Sequence, residues 1–405
     1  MPGRIRTPSL GALANRHFRW FWFGRLAVSA GFEMGTIAQG WLVYELTGSA
    51  LALSGVSTGT NVAMFLLSPY GGVLSDRADK RSVLLWTRLA VTINLAVITL
   101  LVASGKVAIW HLALSALVSG ILYALMMPTQ QAIVSDLVDR QTLLNAISLN
   151  AVAMGMMATV AASSAGFLVE AIGVAGAYAV MVGLNVFAVY AVARLPRLPA
   201  VQQVCRSVWA DLRAGLGYLR GERTLLAIVA MALVRIILVM PYRTFMPKFT
   251  TEEMGLDAAG LGILMGAASV GGLITSVVIA SASNVRGKGR LLLGGGLVAG
   301  AALMLLAAAR SLPLALGAMV LLGAGNNTCM ITSATLLQFT CAPEYRGRVM
   351  GVDMMVWGLA PLGTLPTGAL ADRIGVGPVL GMLGAVTLGC VLALTLLTPR
   401  LRRLD

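Results

Sequence analysis

The sequence predicts an all-α polytopic membrane protein in which twelve transmembrane helices form two pseudo-symmetric six-helix bundles. Hydrophobic residues make up 58% of the 405 positions and charged residues only 11%, whereas an average soluble protein is about one quarter charged. The mean hydropathy is +0.85. Apolar runs of about twenty residues, the length that crosses a bilayer as a helix, recur along the whole chain, and no alternating strand pattern competes with them.

Twelve apolar runs are the predicted membrane spans. The first is interrupted by Arg25 and Glu33. The approximate bounds of the twelve are 20–45, 50–74, 83–104, 108–133, 142–168, 174–194, 224–247, 258–282, 290–309, 312–339, 348–370 and 376–397. An even number of spans places both chain ends on the same side of the membrane.

The basic residues indicate how the chain is oriented. With the N-terminus inside, 23 of the 30 Lys and Arg fall in or beside the inner connections and 5 in or beside the outer ones. Cytoplasmic loops of membrane proteins carry such an excess of basic residues. The bias predicts a cell (inner or plasma) membrane protein with both termini cytoplasmic, and it accounts for the net charge of +14 without a nucleic-acid partner.

The spacing of the spans predicts three parts of the chain. Residues 1–194 hold six spans, residues 224–405 hold six more, and residues 195–223 form a linker. Apolar residues in the second part of this linker recur at helical spacing between basic ones, which predicts an amphipathic helix lying on the cytoplasmic membrane face. Two sets of six spans joined by a linker are typical of transporters built from two repeats, whose binding site lies between the two bundles near the middle of the membrane.

A charged stretch after the second span, "GGVLSDRADKR" at 71–81, resembles the signature loop of the major facilitator superfamily. Asp79 stands where the family pattern has a second glycine. The matching residues are Gly72, Leu74, Ser75, Asp76, Arg77, Lys80 and Arg81. Within this superfamily the chain is most similar to the twelve-span efflux branch that includes macrolide and enterobactin exporters, through "SAGFEMGTIAQGWLVYELTGSALALS", "MMPTQQAIVSDLVDRQTLLNAISL" and "APEYRGRVMGV".

The resemblance implies that this loop closes a cytoplasmic gate in the outward-facing state. Asp76 would face the positive N-terminal end of span eleven, near Arg346–Val349. Alternatively, Arg77, Lys80 and Arg81 only fix the topology. The full set of predicted gate residues is Gly72, Asp76, Arg77, Lys80, Arg81, Asp136, Arg346, Arg348 and Asp353.

Ionisable residues inside predicted spans are the candidates for coupling, because charges in a bilayer are costly. Glu33 is the first candidate for a proton-titrating carboxylate; the alternative is a structural ion pair with Arg25 or Arg235. Arg235 is also a candidate for binding an anionic substrate group. Polar residues on helices that line the cavity in the resembled family complete the predicted cavity set, which is Glu33, Arg25, Arg235, Gln39, Asn61, Asn326 and Asn327.

These features favour a secondary transporter that works by alternating access and is not an enzyme. We expect proton-coupled efflux, as an antiporter, of small amphipathic or hydrophobic compounds of drug or siderophore type. The alternatives are uptake or facilitated diffusion of a polar metabolite, or a non-transporting sensor on a transporter fold. Two separate histidines, four cysteines without metal-ligand spacing and no phosphate-binding loop predict no catalytic residues, metal or cofactor. The expected partners are a small-molecule substrate, protons and the lipid bilayer, and a monomer is expected.

Overall fold

The computed structural model describes residues 11–197, 208–281, 287–342 and 345–402, and every regular element in these ranges is a helix. The all-α prediction is therefore confirmed. The helical bundle has two ends. The proximal end holds the short helices at both chain termini, and the distal end is the opposite end of the bundle.

The helices follow one another with short connections. A π-helical segment, Arg235–Val239, joins α8 to α9. In chain order the helices are α1 Gly11–Ala14, α2 Arg16–Thr47, α3 Ala50–Arg77, α4 Lys80–Ala103, α5 Ile109–Leu137, α6 Arg140–Ala193, α7 Val208–Gly221, α8 Arg223–Val234, α9 Pro241–Glu252, α10 Ala258–Ser281, α11 Lys288–Ala307, α12 Leu312–Thr340, α13 Arg346–Trp357, α14 Pro361–Ile374, α15 Val376–Leu397 and α16 Pro399–Arg402.

Ten segments of these helices are long and apolar enough to cross a membrane. One of them contains Gly173, whose φ of 74° and ψ of 170° interrupt the helical path within α6. Helix α2 is not among the ten, and it is the helix that carries Arg25 and Glu33. Dividing α6 at Gly173 and adding the 32-residue α2 is consistent with the predicted twelve spans.

The distal turns show that the two halves of the chain repeat one another. Gly48 (φ 62°) follows α2, and Gly255 (φ 64°) follows α9. Gly173 divides α6, and Gly375 divides α14 from α15 with a similar φ of 89° and ψ of 162°. Backbone with a positive φ is accessible to glycine at little cost. A glycine with positive φ therefore ends the equivalent helices in each half.

The connection between α3 and α4 explains the departure at Asp79. This residue is the N-cap of α4, and its Oδ2 accepts hydrogen bonds from Ser82 N at 3.0 Å and Ser82 Oγ at 2.6 Å. Asp is a favoured N-cap residue because its carboxylate satisfies free N–H groups of the first turn. In the connection from α5 to α6, Asp139 is also the N-cap residue, but its side chain makes no capping hydrogen bond. A capping carboxylate therefore starts α4 instead of a glycine turn.

Two spans of the second half are broken, although the sequence predicts them as the continuous runs 224–247 and 348–370. The first changes to π-helix at Arg235–Val239 and resumes at Pro241. The second stops at Trp357 and resumes at Pro361. Proline has no N–H to donate and displaces the preceding turn, which accounts for a restart at each proline.

Small residues allow the helices to approach closely. A Cβ added to Gly71 of α3 would lie 2.2 Å from Ala124 O of α5, and one added to Gly323 of α12 would lie 1.8 Å from Ala268 O of α10. Contact between the halves uses the same device, because a Cβ on Gly166 of α6 would lie 2.2 Å from Ala258 O of α10. Such approaches are typical of transmembrane helices, whose association depends on packing.

The helix predicted in the linker is present as α7, but it packs on the protein. Tyr218 stacks on Tyr345 with ring centroids 4.4 Å apart, and its hydroxyl accepts a hydrogen bond from Ala342 N at 3.2 Å. Leu219 is buried, and Gly215 lies against the backbone of Arg348 in α13. The linker helix therefore packs against the start of the broken span α13–α14. The division of the chain at residues 194 and 223 stays a prediction.

Replacing Gly173 with alanine tests the break in α6. Its φ and ψ lie in a region that is essentially restricted to glycine, so we expect Gly173→Ala to destabilise the protein by about 1–3 kcal/mol. The measurement is the midpoint of thermal unfolding of purified protein in detergent. Gly183→Ala is the control, since Gly183 lies in the same helix with open space around it. Equal midpoints for the two variants would contradict the assignment of the break.

Candidate functional site

Glu33 forms an ion pair that joins the two halves of the chain. Nη2 of Arg243 in α9 donates to Oε2 of Glu33 at 2.9 Å. Glu33 lies about 21 Å along α2 from its distal end, at 1.5 Å per residue, which places the pair deep in the bundle. The Glu33 and Arg243 side chains are 16% and 32% exposed, so both are mostly shielded while retaining some access.

The partner of Glu33 differs from the sequence expectation. Arg25 and Arg235 were the expected partners in the structural alternative, and neither pairs with Glu33 in the structure. Sequence reasoning assigned Arg243 to an outer connection, although it lies within the predicted run 224–247. Its position between two prolines of that run, Pro241 and Pro247, was the available signal that the helix is irregular there.

A second contact between the halves lies at the distal end and centres on Asp372 of α14. Its carboxylate accepts hydrogen bonds from Ala50 N at 2.7 Å, Leu51 N at 3.0 Å and Ser49 Oγ at 2.6 Å. These are free donors at the N-terminus of α3, where the helix dipole favours negative charge. A carboxylate from one half therefore caps a helix of the other. We call the contact of Asp372 with Ser49, Ala50 and Leu51 the distal clamp.

Charged residues of α9 extend the distal clamp to α2. Lys248 donates to Asp372 Oδ1 at 2.7 Å and lies 3.8 Å from Glu252 Oε1. The hydroxyl of Tyr44 in α2 in turn donates to Glu252 Oε1 at 3.3 Å. The network runs from α3 through α14 and α9 to α2, so it crosses between the halves twice.

Below the distal clamp, α3 and α14 pack directly against each other. Ser54 Oγ donates to Thr364 O at 2.8 Å, and Ser54 is fully buried. A Cβ on Gly368 would lie 2.5 Å from Ser54 Oγ. Deeper, at the break between α13 and α14, a Cβ on Gly358 would lie 2.3 Å from Phe65 of α3. The two halves are therefore closed against each other at the distal end.

At the proximal end, two predicted gate residues meet. Lys80 donates to Asp136 Oδ2 at 2.6 Å, with the lysine side chain 8% exposed. Arg81 Nη2 donates to Ala193 O at 2.7 Å. Both contacts remain within the first half, tying α4 to α5 and to α6. Lys80 and Arg81 thus have structural partners in addition to any effect on topology.

The remaining predicted gate residues are only partly described. Arg348 lies with its guanidinium 5.3 Å from the ring centroid of Tyr345, and Asp353 lies in α13 within electrostatic range of Arg235. The side chains of four others fall outside the described part of the structure; these are Gly72, Asp76, Arg77 and Arg346. The predicted contact of Asp76 with the start of α13 stays a prediction.

Arg235 lies in a separate buried site of the second half. Its guanidinium stacks 4.7 Å from the ring centroid of Trp357, and its Nε and Nη1 are buried without a hydrogen-bond partner. Asn326, whose Oδ1 also has no partner, lines the same small cavity, together with Cys329. This arrangement places Arg235 and Asn326 together, and Arg235 makes no ion pair with Glu33.

The other predicted cavity amides mainly connect helices. Asn327 donates to Gly272 O at 2.7 Å and to Ser276 Oγ at 2.8 Å, both in α10. Gln39 donates to Leu112 O of α5 at 3.4 Å. Asn61 donates to Ser57 O one turn earlier in α3. Among the described residues, no group of three or more His, Cys, Asp or Glu is placed to hold a metal ion.

Solved structures share this fold. A POT family transporter in complex with a thioalcohol-conjugated peptide superposes with a TM-score of 0.77, 12% identity and coverage of 95% of this chain and 96% of that one. The nucleoside transporter NupG gives a TM-score of 0.74 at 14% identity, covering 94% and 98% of the two chains. The human organic anion transporter MFSD10 gives 0.67 at 16% identity, with coverage of 94% and 99%. At these identities the likeness shows the fold.

Sequence relatives extend over nearly the whole chain. The multidrug efflux pump Tap of Mycolicibacterium fortuitum is 25% identical, covering 95% of this chain and 96% of the pump. Macrolide efflux protein A of Streptococcus pyogenes is 23% identical with coverage of 96% and 97%, and the staphyloferrin A transporter of Staphylococcus aureus is 23% identical with coverage of 91% and 93%.

The family model described as transmembrane secretion effector matches residues 7–405. The match covers both halves, the Glu33–Arg243 pair and the distal clamp. It agrees with the relatives, two of which are named as efflux proteins, and with the resemblance carried by residues 71–81. The chain therefore belongs to the transmembrane secretion effector family of major facilitator superfamily transporters and is a multi-pass membrane transporter.

Proposed function

We propose that the protein exports small amphipathic or hydrophobic compounds by alternating access, driven by inward movement of protons through Glu33. The observation that carries this proposal is the Glu33–Arg243 ion pair, a partly accessible carboxylate deep in the bundle whose only described ionic partner comes from the opposite half. The relatives named for macrolide and multidrug efflux support the direction and the substrate class.

The ion pair links protonation to the contact between the halves. When Glu33 is ionised, its attraction to Arg243 holds α2 to α9 in a poorly solvated site, where charge–charge interactions are strong. A proton on Glu33 removes this attraction and leaves Arg243 free for another acceptor. Protonation therefore loosens one inter-half contact in the closed distal arrangement.

The distal clamp provides the barrier on one side of the membrane. Both termini and the proximal end are proposed to be cytoplasmic in the cell membrane, so the structure corresponds to a form closed to the outside. Opening outward requires Asp372 to leave the N-terminus of α3. The predicted contact of Asp76 with the N-terminus of α13 would then close the cytoplasmic side. We expect the monomer to be the working unit, since each half supplies one side of both gates.

Neutralising Glu33 tests the coupling. In Glu33→Gln, the side chain retains its size but cannot exchange a proton, so we expect flux driven by a pH gradient to fall to the level of protein-free vesicles. The measurement is transport in proteoliposomes with a panel of dyes, antibiotics and siderophores, with and without the gradient. Thermal unfolding of the same preparation checks that the variant is folded.

The matched control for this variant is Glu45→Gln. Glu45 is an exposed carboxylate near the distal end of the same helix, so its neutralisation changes the net charge equally while sparing the ion pair. Wild-type gradient-driven flux in Glu33→Gln would remove Glu33 from the mechanism. No flux of any compound by the wild type would instead favour a non-transporting sensor.

Weakening the distal clamp is expected to open the distal end. Asp372→Asn retains hydrogen-bond acceptance but loses the charge that attracts Lys248 and the α3 dipole, so the distance between distal ends should lengthen and broaden. The measurement is double electron–electron resonance, which reports the distance between two spin labels. The labels are placed at Ser104 and Ala308, which end α4 and α11, in a variant that lacks Cys205 and Cys390.

Asp257→Asn serves as the control for the distal clamp, because Asp257 also lies at the distal end but accepts its hydrogen bond from Gly260 N within the same half. Its distance distribution should match that of the unsubstituted labelled protein. An unchanged distribution in Asp372→Asn would show that the distal clamp does not control opening.

A further inference from the structure

A group of hydrogen-bond donors without acceptors lies inside the first half of the chain, in the proximal part of α2 and α4. Arg88 of α4 is among the largest fully buried side chains and is only 1% exposed. Its Nη1 and Nη2 have no hydrogen-bond partner, and the same holds for Arg25 Nε and Trp22 Nε1 of α2. Guanidinium and indole nitrogens are donors only, so these atoms can be satisfied only by acceptors.

The members of this group are neighbours in space. Arg88 lies within electrostatic range of Arg25 and of the hydroxyl of Tyr123 in α5. Trp22 and Tyr123 pack against the same hydrophobic cluster, and Trp22 is one turn before Arg25 in α2. The Arg88 guanidinium thus lies within electrostatic range of a second guanidinium and a phenol from two other helices, and the Trp22 indole lies one turn from Arg25. We call Trp22, Arg25, Arg88 and Tyr123 the donor cluster.

The donor cluster differs from the shielded cations that form ion pairs. Lys80, Arg243 and Lys248 each have a carboxylate within 3 Å. In the described part of the chain, neither Arg25 nor Arg88 has a carboxylate within 4.0 Å. A buried charge without a partner strongly destabilises a fold, and here two like charges are held together. Such an arrangement is retained at a cost, which points to a ligand that supplies the acceptors.

We propose that the donor cluster binds an oxyanionic group, a carboxylate or a phosphate, of a molecule entering from the space between the two halves. The fork of an arginine matches two oxygens of such a group, and the indole and phenol can donate to the remaining lone pairs. Arg25, Trp22 and Tyr123 are only half-buried and form the entrance, while Arg88 lies behind them as the fixed charge.

The position on α2 relates this site to the coupling site. Arg25 and Glu33 are eight residues apart, which corresponds to about 12 Å along the helix and about 80° around it. Phe32, beside Glu33, packs edge-on against Tyr123 with ring centroids 5.4 Å apart. The donor cluster and the Glu33–Arg243 pair therefore lie on neighbouring faces of α2. The identity of the bound molecule as cargo rests on the proposed transport function, whereas the site itself does not.

The experiment measures binding without flux, so it can succeed when proton coupling fails. In the first arm, wild-type protein in a neutral detergent is titrated with citrate or inorganic phosphate at ionic strength matched with chloride, and the unfolding midpoint is recorded. In the second arm, the protein is placed in phosphatidylcholine nanodiscs with and without phosphatidylglycerol. The first arm reports a soluble anion, and the second reports a lipid phosphate.

Two variants make the readout specific. In Arg88→Met and in Arg25→Gln, the same anion-induced rise of the unfolding midpoint should require an anion concentration at least about tenfold higher than in wild type. The reason is that each substitution removes a charged hydrogen-bond donor. Without anion, Arg88→Met should unfold at a higher temperature than wild type, since it removes an unpaired buried charge. A residue with a purely structural role would give the opposite sign. Arg19→Gln, an exposed position on α2, changes the net charge equally and should keep the wild-type response.

Each outcome decides the proposal. A response to citrate or phosphate that Arg88→Met and Arg25→Gln weaken supports a soluble oxyanion as the ligand. A response only to phosphatidylglycerol, weakened in the same variants, supports the same site occupied by a lipid headgroup. Absence of a response in both arms, or responses equal in wild type and in both variants, would overturn the site and leave the buried donors to internal water.

Discussion

Pairing of charges inside a region without water is the constraint on which this structure depends. The bilayer offers no hydrogen-bond partners, so each polar group in a span must find one in the protein. Glu33 finds Arg243, and the free N–H groups of α3 find Asp372. Both partners lie in the opposite half. The same requirement that stabilises each contact therefore makes the two halves depend on each other.

The distal clamp and the predicted proximal gate have the same chemistry at opposite ends of the molecule. At the distal end, Asp372 at the end of α14 caps the start of α3. At the proximal end, Asp76 near the end of α3 is predicted to face the start of α13. Helix α3 and the broken span α13–α14 thus offer a carboxylate and a helix N-terminus at each end. When one such contact breaks and the other forms, the free energy lost at the first is similar to the free energy gained at the second. A small driving force can therefore shift the population between the state closed at the distal end and the state closed at the proximal end.

Sequence patterns predict the helices well and the partners poorly. Apolar runs of twenty residues are set by the bilayer thickness, so the spans follow directly, and Asp76, Lys80 and Arg81 are recognised because their spacing is a family pattern. The partner of Glu33 depends on how α2 faces α9 across the molecule, which no local pattern encodes, and Arg243 was assigned to a connection. Asp372 was missed for the same reason, since a carboxylate at the end of a span resembles an ordinary boundary charge. The breaks before Pro241 and Pro361 were visible as prolines, but their effect depended on packing.

The glycine turns at the distal end have a practical consequence for reagents that recognise the protein. Chain reversals at Gly48, Gly173 and Gly375 occupy one or two residues, so they project little from the bilayer surface. An antibody fragment or a protease acting there meets almost no extended peptide, and an inserted epitope would replace a backbone geometry restricted to glycine. The longer stretch at 104–108 between α4 and α5 is the better distal position for a tag or a conformation-specific binder.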